Sequence, residues 1–191
     1  MASGEAPAVR QFGDLRKTWI VVMAGLPGSG KSTIAEILAS RVGATVVSVD
    51  PIESAILSAG IDADQPTGLA AYLVAETIAE SVLQGGHSVV VDAVNAVEPA
   101  RMQWRNLAER SGAILRVVEV VCSDEALHRE RLDRRVRGLP HLEELTWRAV
   151  EQSLEGYETW TGTTASMPRV TIDSAQPLGA NVEAAVAFVA G

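Results

Sequence analysis

Positive charge is in short supply in this sequence. Sixteen basic residues face 24 acidic ones, a formal net charge of −8, so the surface as a whole repels polyanions and disfavours nucleic acid and anionic membranes as partners. Aromatic residues make up 4% of the chain, too few to suggest a base-stacking groove for single strands. The one cysteine, Cys122, cannot form an internal disulfide, which suits a reducing compartment, and it closes an apolar run as a packing residue. No apolar stretch approaches the roughly 20 residues that a membrane helix needs. The segment Met1 to Lys17 is rich in small and charged residues and lacks the apolar centre of a signal peptide. The expectation is a cytoplasmic protein, without a membrane partner, whose residues 1–17 form a loosely ordered lead-in. His87, His128 and His141 show no zinc-ligand spacing and read as surface or strand-edge residues.

What is present is a chain of 191 residues, 47% of them hydrophobic. That is enough for one well-buried core and short for two, so residues 18–191 are expected to form a single domain. Its informative stretch is Gly25 to Ser32, Gly-Leu-Pro-Gly-Ser-Gly-Lys-Ser, between an apolar run and a helical pattern that begins near Thr33. This fits the phosphate-binding loop G-x-x-x-x-G-K-[ST]. Gly25, Gly28 and Gly30 permit backbone angles that a Cβ forbids, so the N–H groups of Leu26, Ser29 and their neighbours can wrap a chain of phosphates around the Pro27 turn. The helix that follows adds its positive end. Lys31 then supplies a compact charge to the outer phosphates and the Ser32 hydroxyl a ligand for Mg²⁺. Only two lysines occur, Lys17 and Lys31, so a chain that otherwise uses arginine keeps lysine where the loop needs a point charge.

The rest of the chain alternates strands with helices. Trp19 to Ala24 is a continuous apolar run of the kind that forms a central parallel strand. Further strands are read at Thr45 to Val49, stopping at Asp50 before Pro51, at Val89 to Asp92, at Ile114 to Cys122 and at Arg169 to Ile172. Helices are read from the loop to Gly43, at Ile52 to Leu57, Leu69 to Leu83, Pro99 to Gly112, from Asp124 through an arginine-rich stretch, at Thr146 to Tyr157 and at Asn181 to Val189. The pattern predicts an α/β fold with a parallel sheet and ligands outside the carboxyl ends of its strands.

Three groups converge there by topology: the phosphate loop, Asp50 after the second strand and Asp92 after the third. Asp92 suits the Mg²⁺ shell beside the loop. Asp50 suits the carboxylate that orients an acceptor hydroxyl and takes its proton, the alternative being a cap for the short helix opened by Pro51. In the arginine segment, Glu130 with Arg134 and Asp133 with Arg137 are spaced as ordinary ion pairs. Arg131 and Arg135 have no such partner, so they are candidates to stabilise a transferring phosphoryl group. Trp147, Tyr157 and Trp160 read as packing for the last helices, with a substrate pocket as the alternative.

Taken together, the loop, Val47-Ser-Val-Asp50, Val89-Val-Val-Asp-Ala-Val-Asn95, Arg101-Met-Gln-Trp104 and the arginine segment from His128 to Arg135 resemble the small P-loop kinases. This is the group of zeta toxins, chloramphenicol phosphotransferase, gluconate-type kinases and the polynucleotide 5′-hydroxyl kinase domain, with an AAA-type ATP-binding domain. The resemblance implies a three-layer fold, a five-stranded parallel sheet in the order 2-3-1-4-5 and a helical lid over about residues 125–160 bearing Arg131 and Arg135. It implies ATP and Mg²⁺ as cofactors, held by residues 25–33 and by Ser32 with Asp92. It further implies Lys31, Asp50, Arg131 and Arg135 as catalytic residues and Asn95 and Arg101 as candidate substrate contacts beside Asp50. In related enzymes a lid arginine lies against the adenine, with the loop near Ser174 to Pro177 at its border. Relatives commonly carry arginine where this chain has Glu53, which points to a neutral or cationic acceptor. No Asn-Lys-x-Asp stretch follows the fourth strand, which by the same likeness argues against GTP.

The expected activity is transfer of the γ-phosphoryl group of ATP to a hydroxyl of a small metabolite, sugar or antibiotic-like acceptor. A nucleotide-gated binding protein with slow hydrolysis and a polynucleotide 5′-hydroxyl kinase stand as alternatives.

Overall fold

The structure, a computed structural model, describes residues 17–136 and 138–191. The expected lead-in over residues 1–17 therefore lies, save for Lys17, outside the described residues, as does Arg137 with its expected pairing to Asp133.

The strands are β1 (Trp19–Ala24), β2 (Ala44–Ser48), β3 (Ser88–Asp92), β4 (Ile114–Val121) and β5 (Arg169–Asp173). All pairings are parallel, in the order β2-β3-β1-β4-β5. The strand order is the one the resemblance implies. Parallel neighbours cannot be joined by a hairpin, so each connection carries helix across a face of the sheet. Those helices are α1 (Lys31–Val42), α2 (Val49–Ser58), α3 (Thr67–Gln84), α4 (Glu98–Ser111), α5 (Glu125–Arg134), α6 (Trp147–Glu155), the single turn α7 (Gly162–Ala165) and α8 (Leu178–Ala190).

Covering both faces explains why β1 is apolar at successive positions. Ile20 and Val22 pack with Val89, Val91, Trp104 and Leu107 on one side. Val21 and Met23 pack with Val90, Val118, Ile34 and Leu38 on the other. The register sets Val21 beside both Val90 and Arg116, so β1 lies at the centre of the sheet and its C-terminal end opens into the phosphate loop.

Two boundaries beside the candidate site differ from the sequence reading, and α7 has no counterpart in that reading. β2 ends at Ser48, and α2 begins at Val49, so Asp50 sits in the first helical turn and not at a strand edge. Extended Ser48 closes the strand, and a carboxylate in the first turn faces the positive helix end. The second difference is in α5, which stops at Arg134, leaving Arg135 in extended conformation just past it. Arg131 and Arg135 thus do not share a continuous helix, although both reach the same cavity.

The loop after β3 is pinned from below. Trp104 of α4 is fully buried and its indole Nε1 donates to Asn95 Oδ1 at 2.8 Å, while Asn95 Nδ2 donates to the Met23 carbonyl at 2.6 Å. Trp104→Ala removes the ring and leaves a buried amide oxygen unpaired, so a loss of about 3–5 kcal/mol is expected. Urea unfolding of the two proteins reads it, and a loss well below 1 kcal/mol would show that this anchor does not hold the loop.

Candidate active site

The phosphate loop is built by close backbone approach. Gly25 has φ +131°, and a Cβ there would lie 2.1 Å from the Val120 carbonyl oxygen, so only glycine lets β1 run past β4 into the loop. Its N–H donates to the Val94 carbonyl at 3.1 Å, which ties the loop to the segment after β3. Ser29 N–H closes the turn on the Leu26 carbonyl at 3.2 Å, and Gly30, at φ +93°, hands the chain to α1.

Lys31 opens that helix with only 6% of its surface exposed, and its Nζ donates to the Leu26 carbonyl at 2.8 Å. Burial pushes its pKa down from the ordinary 10.5 to about 8, with Arg135 pressing the same way and the negative charges of Asp92 and Asp50 opposing. The ammonium is thus held in a place that disfavours its own charge until an anion arrives.

Two cavities meet at this residue. The larger, about 450 Å³, is lined by the loop and the start of α1, including Gly28, Gly30, Lys31, Ser32 and Thr33. Its far side is formed by Arg131, Arg135 and the β5–α8 segment with Ser174 and Gln176. The smaller, about 50 Å³, is lined by Pro27, Asp50, Asp92 and Leu145. Lys31, Ser32 and Arg135 line both. Asp92 accepts from the Ser48 hydroxyl at 3.4 Å, which joins the ends of β2 and β3 beneath that small chamber. Arg131 donates to Ser174 Oγ and to the Ser174 carbonyl, each at 3.0 Å, and so ties α5 to the β5–α8 segment.

Asn95 and Arg101 lie elsewhere. Asn95 is 0% exposed with both side-chain polar atoms bonded internally, and Arg101 is 1% exposed. The Arg101 guanidinium donates to the carbonyls of Asn95, Ala96 and Glu158 and stacks on Tyr157 and Trp160. Neither residue lines either cavity; most of their hydrogen bonds are made internally, and Arg101 Nη1 is buried without a partner among the described residues. Tyr157 O–H and Trp160 N–H both donate to Glu119 Oε1, and Tyr157 also lines a separate cavity of about 170 Å³ with Gly25, Leu26 and His128.

Two residues near the site were not singled out by sequence. Tyr72 of α3 accepts from the Asn95 N–H at 3.2 Å, and its phenol is pushed up to about 12, chiefly by burial, with Asp50, Asp92 and Glu53 adding negative charge nearby. At helical spacing it looks like any core aromatic. His128 was read as a surface residue; it is 4% exposed, with Nε2 2.8 Å from the Pro27 carbonyl oxygen. The signal available was Leu132, one turn later on the same face of an otherwise charged helix.

The donor chemistry suits Mg²⁺. The Ser32 hydroxyl and the Asp92 carboxylate line the same small chamber, and this ion takes one or two protein oxygens with phosphate and water filling its other positions.

Comparison with known proteins places the chain. A family model described as AAA domain matches residues 20–159. An uncharacterized protein of Mycobacterium tuberculosis is 32% identical over 115 residues, covering 54% of this chain and 23% of that protein. The chain thus spans under a quarter of the length of the curated relatives it matches. Among solved structures, a candidate kinase of Chloroflexus aurantiacus superposes with TM-score 0.73 at 19% identity, covering 92% of this chain and 98% of that one. A gluconokinase of Sinorhizobium meliloti gives 0.67 at 24%, covering 92% and 94%. Kti12 of Chaetomium thermophilum, in complex with ADP-AlF3, gives 0.65 at 19%, covering 90% and 100%. These likenesses establish the P-loop kinase-like fold.

The burial of Lys31 fixes the sign of a pH effect. Between pH 8 and 10.5 the unfolded chain keeps a proton that the folded chain has released, so this group makes stability rise with pH across that window. Lys31→Met removes the titration. The wild-type protein is expected to be the less stable of the two at pH 7 and to recover roughly 2–3 kcal/mol relative to the variant by about pH 10. Chemical unfolding at both pH values measures the difference, and a gap independent of pH would refute the buried-charge account.

Proposed function

Because the chain belongs to the AAA-domain family, we propose that it is a P-loop kinase that uses ATP and Mg²⁺ to move the γ-phosphoryl group onto a hydroxyl of a small-molecule acceptor. The observation that carries this reading is the pair of cavities with a common wall at Lys31, Ser32 and Arg135, one of about 450 Å³ lined by the phosphate loop and the other holding Asp50. A transferring group sits between donor and acceptor, so the residues shared by two chambers are the ones able to follow it across.

In this mechanism the loop amides and Lys31 hold the phosphate chain, and Arg135 meets the charge that builds as the β,γ-bridging P–O bond breaks. Arg131, bonded to Ser174, supports the nucleotide from the β5–α8 side. Asp50 accepts a hydrogen bond from the acceptor hydroxyl, orients its oxygen towards phosphorus and takes the proton as the new P–O bond forms. Ser32 and Asp92 would hold Mg²⁺, which neutralises phosphate charge when bound. Residues 125–160 act as the lid that excludes water from the transfer, since a loosely covered site would lose the phosphoryl group to hydrolysis.

A small acceptor is supported by a gluconokinase among the structural neighbours. The net charge of −8 weighs against an oligonucleotide. Among the described residues no helix is long and apolar enough to cross a membrane.

Release of ADP across a panel of sugars, sugar acids, amino alcohols and 5′-hydroxyl oligonucleotides identifies the acceptor. With that acceptor, Asp50→Asn is expected to bind ATP within about threefold of wild type while turnover falls by about 10² or more. Unchanged turnover removes Asp50 from the chemistry. If no acceptor stimulates ADP release, while a protein partner is captured only with ATP, the nucleotide-gated binding reading replaces the kinase.

A further inference from the structure

The apex of the phosphate loop is held from outside by a residue the mechanism above does not use. His128, in α5, is 4% exposed and sets its Nε2 2.8 Å from the Pro27 carbonyl oxygen. A carbonyl oxygen only accepts, so Nε2 carries the hydrogen. The ring also stands edge-on to Trp147 of α6, with centroids 5.3 Å apart and planes at 87°, and Arg129 covers Trp147 at 4.4 Å.

The consequence follows from the geometry of a peptide unit. Its C=O and N–H lie in one plane and point in opposite directions when the bond is trans, and there are no cis peptides among the described residues. Fixing the Pro27 carbonyl towards His128 therefore turns the Gly28 N–H away from α5. Gly28 lines the larger cavity. This peptide has little intrinsic bias of its own, since Gly28, at φ +77°, has no Cβ to restrict it. A Cβ there would meet Leu132 Cδ1 at 3.0 Å and His128 Nε2 at 3.1 Å, so α5 presses on the loop at this point through two side chains one turn apart.

We propose that His128 is a positioning residue for nucleotide binding: its Nε2–H holds the Pro27–Gly28 peptide in the orientation that aims the Gly28 amide at the phosphates. This rests on the reading that the loop grips the phosphates of ATP. Without the bond, the peptide can rotate, the cradle loses a donor and a carbonyl dipole faces the anion. The same contact makes the grip on phosphate depend on α5 being docked, because His128 lies one turn before Leu132 and beside Arg131, which faces the nucleotide cavity.

The test compares His128→Phe, which keeps the ring and its edge contact but has no donor, with His128→Gln, whose amide nitrogen restores one. Calorimetry with the magnesium complex of AMPPNP is expected to show affinity about tenfold or more weaker for H128F and within about threefold of wild type for H128Q. The Gly28 amide resonance should shift downfield with AMPPNP in the wild-type protein and fail to do so in H128F. Should H128F not fold, H128M against H128Q gives the same contrast. Affinity equal to wild type in H128F, or equal weakening in H128F and H128Q, overturns the proposal while leaving the kinase reading intact. A wild-type protein that binds no AMPPNP would remove both together.

Discussion

The site depends on a cation kept out of water. Lys31 is almost wholly enclosed, its ammonium donating to a carbonyl of its own loop and facing carboxylates across the cavity. A buried ammonium in such a place is poorly solvated, and the protein tolerates the cost because the fold leaves space where an anion can complete it. The other parts of the site can be understood as ways of holding that arrangement open: glycines that let the backbone curl around empty volume, β4 passing close enough to forbid a side chain at Gly25, and α5 braced against the loop apex. A strand-to-helix turn serving connection alone would have no reason to bury a charge.

The second supporting system lies beneath the carboxyl ends of β3 and β4. Arg101 stacks with Tyr157 and Trp160 and donates to two carbonyls of the β3–α4 connection and to that of Glu158 after α6, while Glu119 receives the two aromatic polar groups, the Thr171 hydroxyl and Arg169. Here the cation is met by π-faces and carbonyl dipoles, and the acid is met by neutral donors and one arginine. The network links the loop after Asp92 to the segment that follows α6, since the Glu158 N–H also donates to the Ala96 carbonyl at 2.9 Å. The connection after Asp92 and the segment after α6 are thereby tied together, an arrangement that suits chemistry relying on placement.

The sheet was legible in the sequence because burial on both faces leaves a simple signature: Trp19 to Ala24 and Val89 to Val91 admit no charged residue, and each gives way to the chemistry at its carboxyl end. The loop was legible because backbone geometry requires its glycines, each at positive φ, and because Lys31 follows them as one of only two lysines in the chain. What sequence could not distinguish was polar residues that touch ligand from polar residues that satisfy buried groups. Asn95 and Arg101 stand beside the acidic strand end as site residues would, yet their hydrogen bonds turn inward. His128 presents the opposite case, a lone imidazole in a charged helix whose partner lies 101 residues earlier in the chain. Asp50 moved from the strand end into the helix because Pro51 is compatible with several positions in the first helical turn, and the strand-to-helix boundary fell two residues earlier.

The common wall formed by Lys31, Ser32 and Arg135 also bears on inhibitor chemistry. Two compounds, each filling one chamber, would meet at these three side chains. Tethering an adenosine to an acceptor mimic through a phosphate chain would then convert two weak ligands into one, with the loss of independent motion settled once instead of twice. The length of tether that binds best would serve as a ruler for the path a phosphoryl group travels.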